Sequence, residues 1–229
     1  QDAIATAMRE GTLAPGKRVR PLLLLLTLKD LQQDETLSDA GLDLACALEM
    51  VHAASLFLDD MPCMDNAELR RGQPTIHRQF GEDVAVLGSV ALLSQAFSIA
   101  ASTATIDAST RNQLVRLLSQ ATGAQGLVRG QFHDLREGQR ARPLEAIAHT
   151  NRLKTCPLFT AAVESAALLA GASASCTRHL NGFATELGLA FQLLDDLARI
   201  DLDQVGVPPQ IALLQSLQRR RQANAIRYW

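Results

Sequence analysis

Three carboxylates, Asp59, Asp60 and Asp65, close one of the most apolar stretches of this chain, in SLFLDDMPCMDN (Ser55 to Asn66). A second pair, Asp195 and Asp196, ends another such stretch in FQLLDDLA (Phe191 to Ala198), with Gln192 one turn earlier. Two unit charges about 4 Å apart repel by about 4 kcal/mol at an effective dielectric near 20, so clustered carboxylates invite a counter-ion. Oxygen donors suit Mg²⁺ or Mn²⁺, and a site with few protein ligands suits Mg²⁺ shared with a phosphate. The first cluster alone fits a solvated acidic helix end as readily as a cation site. Its repetition argues for two helices facing each other across divalent metals.

Cations stand in arrangements that suit the phosphate. GKRVRP (Gly16 to Pro21) sets Lys17 and Arg20 one helical turn apart, LRRGQPTIH supplies adjacent Arg70 and Arg71, and KTCPLF supplies Lys154 beside Thr155. Arginine offers a fork of donors to phosphate oxygens and lysine a mobile point charge. His52, Ser55 and Asp59 share one face of the first acidic helix, which makes His52 a candidate contact. No Ser or Cys stands beside a credible base, so nucleophilic catalysis is not indicated. The combination reads as metal-bridged diphosphate on one side and a second anion held by basic residues on the other.

The elements that must position these groups are helical. Helical periodicity predicts helices near 17–33, 39–60, 66–80, 84–104, 108–135, 143–171, 174–199 and 209–225, with no convincing strand. Breaks are expected at Gly11–Gly16, Gly72–Pro74, Gly81, Gly138–Pro143, Gly171 and Gly206–Pro209. Helices 84–104 and 157–171, small-residue-rich around their circumference, are expected at the centre. Pro62 should stop or kink the first acidic helix near Met61, swinging Asp65, about 120° out of line on a straight helix, back toward Asp59. The expected fold is all-α, one domain over 1–229, a bundle of about eight or more helices around a central cavity.

At 229 residues the chain can bury a substantial core; apolar residues make up 47% and aromatics 4%. A formal charge of −2 excludes a generally basic nucleic-acid binder. Cys46, Cys63, Cys156 and Cys176 show no CxxC spacing and read as reduced thiols. The longest leucine run, Leu22 to Leu26, is far short of the ~20 apolar residues of a membrane helix, so no membrane span is expected. With no targeting segment visible, the expected location is the cytoplasm. The sequence starts at Gln1 without an initiator methionine, so residues are expected to precede it.

Taken in order, GKRVRP, HAASLFLDDMPCMDN, LRRGQPTIH, GLVRGQFHDL, KTCPLF and FQLLDD resemble the trans-isoprenyl diphosphate synthases over about residues 10 to 198. The form DDMPCMD is similar to that of bacterial and plant-type geranylgeranyl diphosphate synthases, those of the carotenoid pathway above all. The resemblance implies the isoprenoid synthase fold. It also implies a head-to-tail condensation of isopentenyl diphosphate with an allylic diphosphate (dimethylallyl, geranyl or farnesyl), aided by three Mg²⁺. By the same resemblance Asp59, Asp65 and Asp195 hold metal, with Asp60 and Asp196 in support. Arg70, Lys154, Thr155 and Gln192 face the allylic substrate; Lys17, Arg20, His52 and Arg71 hold isopentenyl diphosphate; Gln131 and Asp134 support the cage. A homodimer is implied as well.

Product length follows from helix geometry. The growing tail should run down the first acidic helix, crossing Ser55 and Ala54, both small, before the bulkier Met50 and Val51 a turn (~5 Å) further on. An open passage favours a C20 product over C15, with farnesyl diphosphate synthesis as the alternative.

One departure stands out. The family's second motif is usually DDxxD, yet Arg199 occupies the third acidic position, and the lysine-bearing GKD segment is missing before RIDLDQVGVPPQ. Residues are therefore expected to be missing after about Ala198, or else the chain is a degenerate member, even a silent subunit that modulates an active synthase. Asp201 and Asp203 are not expected to replace the lost motif, and Arg219 to Arg221 read as a solvated helix face. A class I terpene cyclase shares the acidic helix but has no need of GKRVRP.

Overall fold

The computed structural model describes residues 2–33, 38–137 and 144–199. Among them run α1 (Ala3–Leu13), α2 (Val19–Gln32), α3 (Asp39–Asp59), β1 (Leu69–Arg70), β2 (Gln73–Pro74), α4 (Ile76–Phe80), α5 (Glu82–Ser102), α6 (Ala108–Thr122), α7 (Leu127–Glu137), α8 (Leu144–Leu169) and α9 (Ala174–Arg199). The expected all-α class is observed. The helix expected at 209–225, the breaks at Gly138–Pro143 and Gly206–Pro209, Asp201, Asp203 and Arg219 to Arg221 lie outside the described residues. The chain falls into two compact units, Gln1–Gly188 and Leu189–Trp229.

In the first unit α3 packs most extensively on α5, and α2 on α8. Leu24 and Leu28 of α2, Leu44, Leu48 and Val51 of α3, Leu114 and Leu118 of α6 and Leu158 of α8 form one buried core. A second, from Ala53, Ala54 and Phe57 of α3 with Met61, Ile76, Ala85 and Leu92, underlies the aspartate-bearing end of α3. α3 and α5 are long and apolar enough to cross a membrane by length and composition. The two helices pack on each other, and α3 carries Glu49 and His52, which face arginines.

Four expectations need correction. α1 was not anticipated; Asp2 caps it by accepting from the amides of Ile4 and Ala5. Residues 66–80 are not one helix: Asn66, Arg71 and Gly72 take left-handed φ of 49°, 54° and 80°, which no helix interior tolerates. A tight antiparallel hairpin results, pairing Leu69 with Pro74 and Arg70 with Gln73, so a strand pair does exist. The stretch 108–135 breaks between α6 and α7, where a Cβ on Gly126 would stand 2.0 Å from the Ala121 carbonyl oxygen. Finally, α5 is less central than expected, since Val86, Leu87 and Val90 are 40%, 52% and 56% exposed. The corresponding part of α8 is buried as anticipated, from Leu158 and Phe159 to Ala166.

Thr75 ties the hairpin to the helices. Its buried hydroxyl donates to the Ala67 carbonyl at 2.8 Å and pairs with His77 Nδ1 at 3.1 Å. A carbonyl freed in the interior costs about 1–3 kcal/mol, so this bond holds the two arginines of the hairpin in place.

Candidate active site

α3 ends at Asp59, and Asp60 caps it. Pro62 has no N–H to continue the ladder, so the chain turns, and the Asp65 amide donates back to the Asp59 carbonyl at 2.9 Å. The Asn66 amide reaches the Met61 carbonyl (3.0 Å) and the Ala67 amide that of Asp60 (3.2 Å). The turn therefore returns Asp65 to Asp59, as the proline suggested, and satisfies carbonyls that a helix end would leave bare.

Burial pushes the Asp59 carboxyl up from 3.8 to about 6; Asp65 and Asp60 add to the rise, while Lys154 and Arg70 oppose it. Asp59 is thus a desolvated carboxylate among like charges, with cations at its edge. Asp60 is placed differently. It is buried, and Arg70 grips it with two prongs, Nε to Oδ2 at 2.7 Å and Nη2 to Oδ1 at 2.5 Å. Asp60 and Arg70 consequently spend their charges on each other in this structure, which leaves Asp59 and Asp65 as the pair aimed at a cation.

Lys154 arrives from α8. Its ammonium donates to Asp134 Oδ2 of α7 at 2.7 Å. Two residues arrange this meeting. Pro157 cannot donate to the Leu153 carbonyl, which interrupts the ladder at the turn bearing Lys154. Gly130 lets α7 close in: a Cβ there would lie 2.4 Å from the Lys154 amide nitrogen and 2.6 Å from the Leu153 carbonyl carbon. Thr155, the next residue, is buried.

A second group of cations surrounds His52. Arg20 Nη1 lies 3.4 Å from His52 Nε2, and the Arg20 guanidinium carbon sits 5.0 Å above the Phe159 ring. Arginine only donates, so Nε2 accepts and the imidazole proton sits on Nδ1. Burial drives the His52 pKa well below its usual value, and Arg20, Arg71, Arg70 and Arg18 depress it further. The ring stays neutral in a strongly positive field. Arg71 Nη1 donates to the Pro15 carbonyl at 2.7 Å and its guanidinium rests against Gly16, so LRRGQP reaches GKRVRP next to Lys17. Arg18 is taken by Glu49. Such a cluster suits an anion with several oxygens.

The small residues expected along the tail path lie on two faces. Ser55 shares the His52 face and donates to the His52 carbonyl at 2.8 Å. Ala54 is fully buried toward α5, its carbonyl accepting from Ser89 Oγ at 3.0 Å. Val51 is fully buried, while Met50 is partly buried and touches both cores.

In the second unit, Gln192 and Asp195 lie one turn apart on α9, each partly exposed. The side chains of Asp196 and Arg199 lie outside the described residues. Among the described residues no three acidic, imidazole or thiol groups form a closed metal cage. Asp59 and Asp65 supply only two carboxylates because Asp60 is turned to Arg70, which fits a hard divalent ion whose other ligands come from phosphate and water. Sequence reasoning missed Glu49, Phe159 and Gly130. Glu49 lies one turn from His52 on α3, and Phe159 ends the KTCPLF motif, so both were within reach of a face analysis.

Residues 1–205 match the family model described as polyprenyl synthetase. The chain is 56% identical over 197 residues to the geranylgeranyl diphosphate synthase of Pantoea ananas, across 86% of this chain and 65% of that protein. It therefore spans just under two thirds of that relative. It is 41% identical over 206 residues to the farnesyl diphosphate synthase of Geobacillus stearothermophilus, across 88% of this chain and 68% of that one. Among solved structures, an FPP/GFPP synthase from Zymomonas mobilis matches with a TM-score of 0.80 at 36% identity, covering 90% of this chain and 73% of its own.

Proposed function

We propose an activity from one premise: this chain belongs to the polyprenyl synthetase family. It condenses isopentenyl diphosphate with an allylic diphosphate, head to tail, and makes geranylgeranyl diphosphate. The observation that carries this reading is Asp59, a partly buried carboxylate joined by Asp65 and bordered by Lys154 and Arg70, with its pKa raised to about 6 by desolvation. Such a group gains most from a divalent cation that brings its own anion.

Asp59 and Asp65 would hold Mg²⁺, and the resemblance assigns Asp195 of the second unit a metal-holding role of its own; Mn²⁺ has the same oxygen preference. Bound metal would neutralise the charge that develops on the departing diphosphate. Lys154 adds a positive charge on the α8 side, held by Asp134. Arg70 presents its guanidinium from the hairpin, Thr155 adds to the allylic side from α8, and the resemblance assigns Gln192 of the second unit to the allylic substrate as well. Lys17, Arg20 and Arg71, with neutral His52 among them, hold the diphosphate of isopentenyl diphosphate. Keeping His52 neutral leaves it free to donate from Nδ1 without competing for a proton.

The test is direct. Purified full chain with Mg²⁺, farnesyl diphosphate and isopentenyl diphosphate should yield a C20 diphosphate and release pyrophosphate. No turnover would favour the silent subunit, which Arg199 at an acidic position suggests. A C15 product from geranyl diphosphate that extends no further would favour farnesyl diphosphate synthesis.

The C20 reading is supported by the higher identity to the Pantoea enzyme and by small residues at 54 and 55. Ala54→Phe should shift the main product to C15, the ring entering the α3–α5 seam that Ala54 now leaves narrow. Chromatography of the dephosphorylated products reads this, with melting temperature confirming the fold; an unchanged C20 profile would defeat the account of chain length.

Assembly as a homodimer belongs to the same reading, supported by exposed Val86, Leu87 and Val90 along α5. Val90→Glu should lower the mass measured by sedimentation to that of one chain. Cytoplasmic location is supported by four cysteines without disulfides, and supply of a carotenoid route by the resemblance to such synthases.

A further inference from the structure

The amide of Gln131 has no place in the interactions described so far. Both Nε2 and Oε1 are buried, and neither has a hydrogen-bond partner. A stranded amide is a costly thing for a protein to keep, because desolvation of each atom goes uncompensated. Its position suggests what compensates it. On α7, Leu127, Gly130, Gln131 and Asp134 occupy one helical face, and α7 packs on α8. Gly130 sits against the backbone of Leu153 and Lys154, and Asp134 bonds the Lys154 ammonium at 2.7 Å. Gln131 lies between Gly130 and Asp134 on the face of α7 whose residues meet α8 at Leu153 and Lys154.

We infer that Gln131 is a further substrate-positioning residue, its amide donating from Nε2 to a diphosphate oxygen held by Lys154. Oε1 accepts from water carried in with that ligand. A diphosphate offers only acceptors, and glutamine supplies a donor there without adding charge to the balance between Lys154 and Asp134. The inference rests on the proposed function, since it deepens the allylic diphosphate site.

The experiment uses Gln131→Met, of similar length without the polar atoms, and Gln131→Glu, which keeps the shape but presents a charge to the anion. Melting temperatures are measured for each full chain, alone and with Mg²⁺ and inorganic pyrophosphate, and KM is measured for each substrate. Without ligand, Gln131→Met should melt about 2–4 °C higher than the parent. With Mg²⁺ and pyrophosphate it should gain less than the parent. Both variants should raise KM for the allylic diphosphate about tenfold, leaving KM for isopentenyl diphosphate unchanged. If the parent is stabilised by Mg²⁺ and pyrophosphate and Gln131→Met equally so, with an unchanged allylic KM, this inference falls while the proposed function stands. If the parent shows no stabilisation, the proposed site itself is wrong. Should Gln131→Met fail to fold, the KM pair for Gln131→Glu decides: equal changes for both substrates overturn the inference.

Discussion

Asp59→Asn should make the protein more stable and nearly inactive at once. The Asp59 carboxyl is raised from 3.8 to about 6, burial being the largest cause. That difference corresponds to about 3 kcal/mol of lost stability whenever the group is ionised in the fold. Asparagine has nearly the same shape and no charge to desolvate. At pH 7 without metal, the variant should unfold later in urea by up to about 3 kcal/mol, while turnover drops by about a thousandfold or more. A variant with less stability than the parent would show that Asp59 is not strained by its surroundings, and the argument for a cation there would lose its footing.

The pH dependence separates this from a packing effect. For a carboxylate whose folded pKa is raised, the penalty is fully present above about pH 6 and disappears as pH falls toward the unfolded value of 3.8. The stability gap between Asp59→Asn and the parent should therefore be flat above about pH 6.5 and should narrow steadily below it. Mg²⁺ should close the gap from the other side, stabilising the parent at neutral pH and leaving the variant unmoved.

Much of the site was legible because its logic is local. Pro62 after two aspartates announces the end of a helix, and the return of Asp65 follows from it. The six motifs name the right residue types, and in the first unit the structure brings GKRVRP, HAASLFLDD and LRRGQPTIH together around His52. What stayed hidden depends on relations between distant segments. Nothing in the spacing of Asp60 and Arg70 says that they will neutralise each other, because their meeting depends on left-handed residues at 66, 71 and 72. Arginine and asparagine at such φ values leave no strong mark on a sequence, so a helix was expected where a hairpin forms. Small-residue content was also ambiguous: it placed α8 correctly and α5 too deep, since alanines permit burial without requiring it.

The pairing of Lys154 with Asp134 is another relation that spacing does not announce, and Gly130→Ala tests it. In a helix interior alanine is favoured over glycine by about 1 kcal/mol, so local propensity predicts a gain. The contact geometry predicts the opposite. A Cβ at 130 would lie 2.4 Å from one backbone atom of α8 and 2.6 Å from two others, none of which can rotate away. α7 and α8 must separate by about 1 Å, at a cost of about 1–3 kcal/mol. The 2.7 Å bond from Lys154 to Asp134 then stretches or breaks, and a displacement of that size in a positioning group can lower turnover about a hundredfold. Gly182→Ala on α9 is the matched control, because nothing lies within 4 Å of a Cβ built there. It should raise stability by about 0.4–1 kcal/mol and leave turnover unchanged. Thermal unfolding and kcat/KM, measured on both variants, read the two effects together. If both glycines respond to alanine in the same direction, the close approach at Gly130 does not set the position of Lys154.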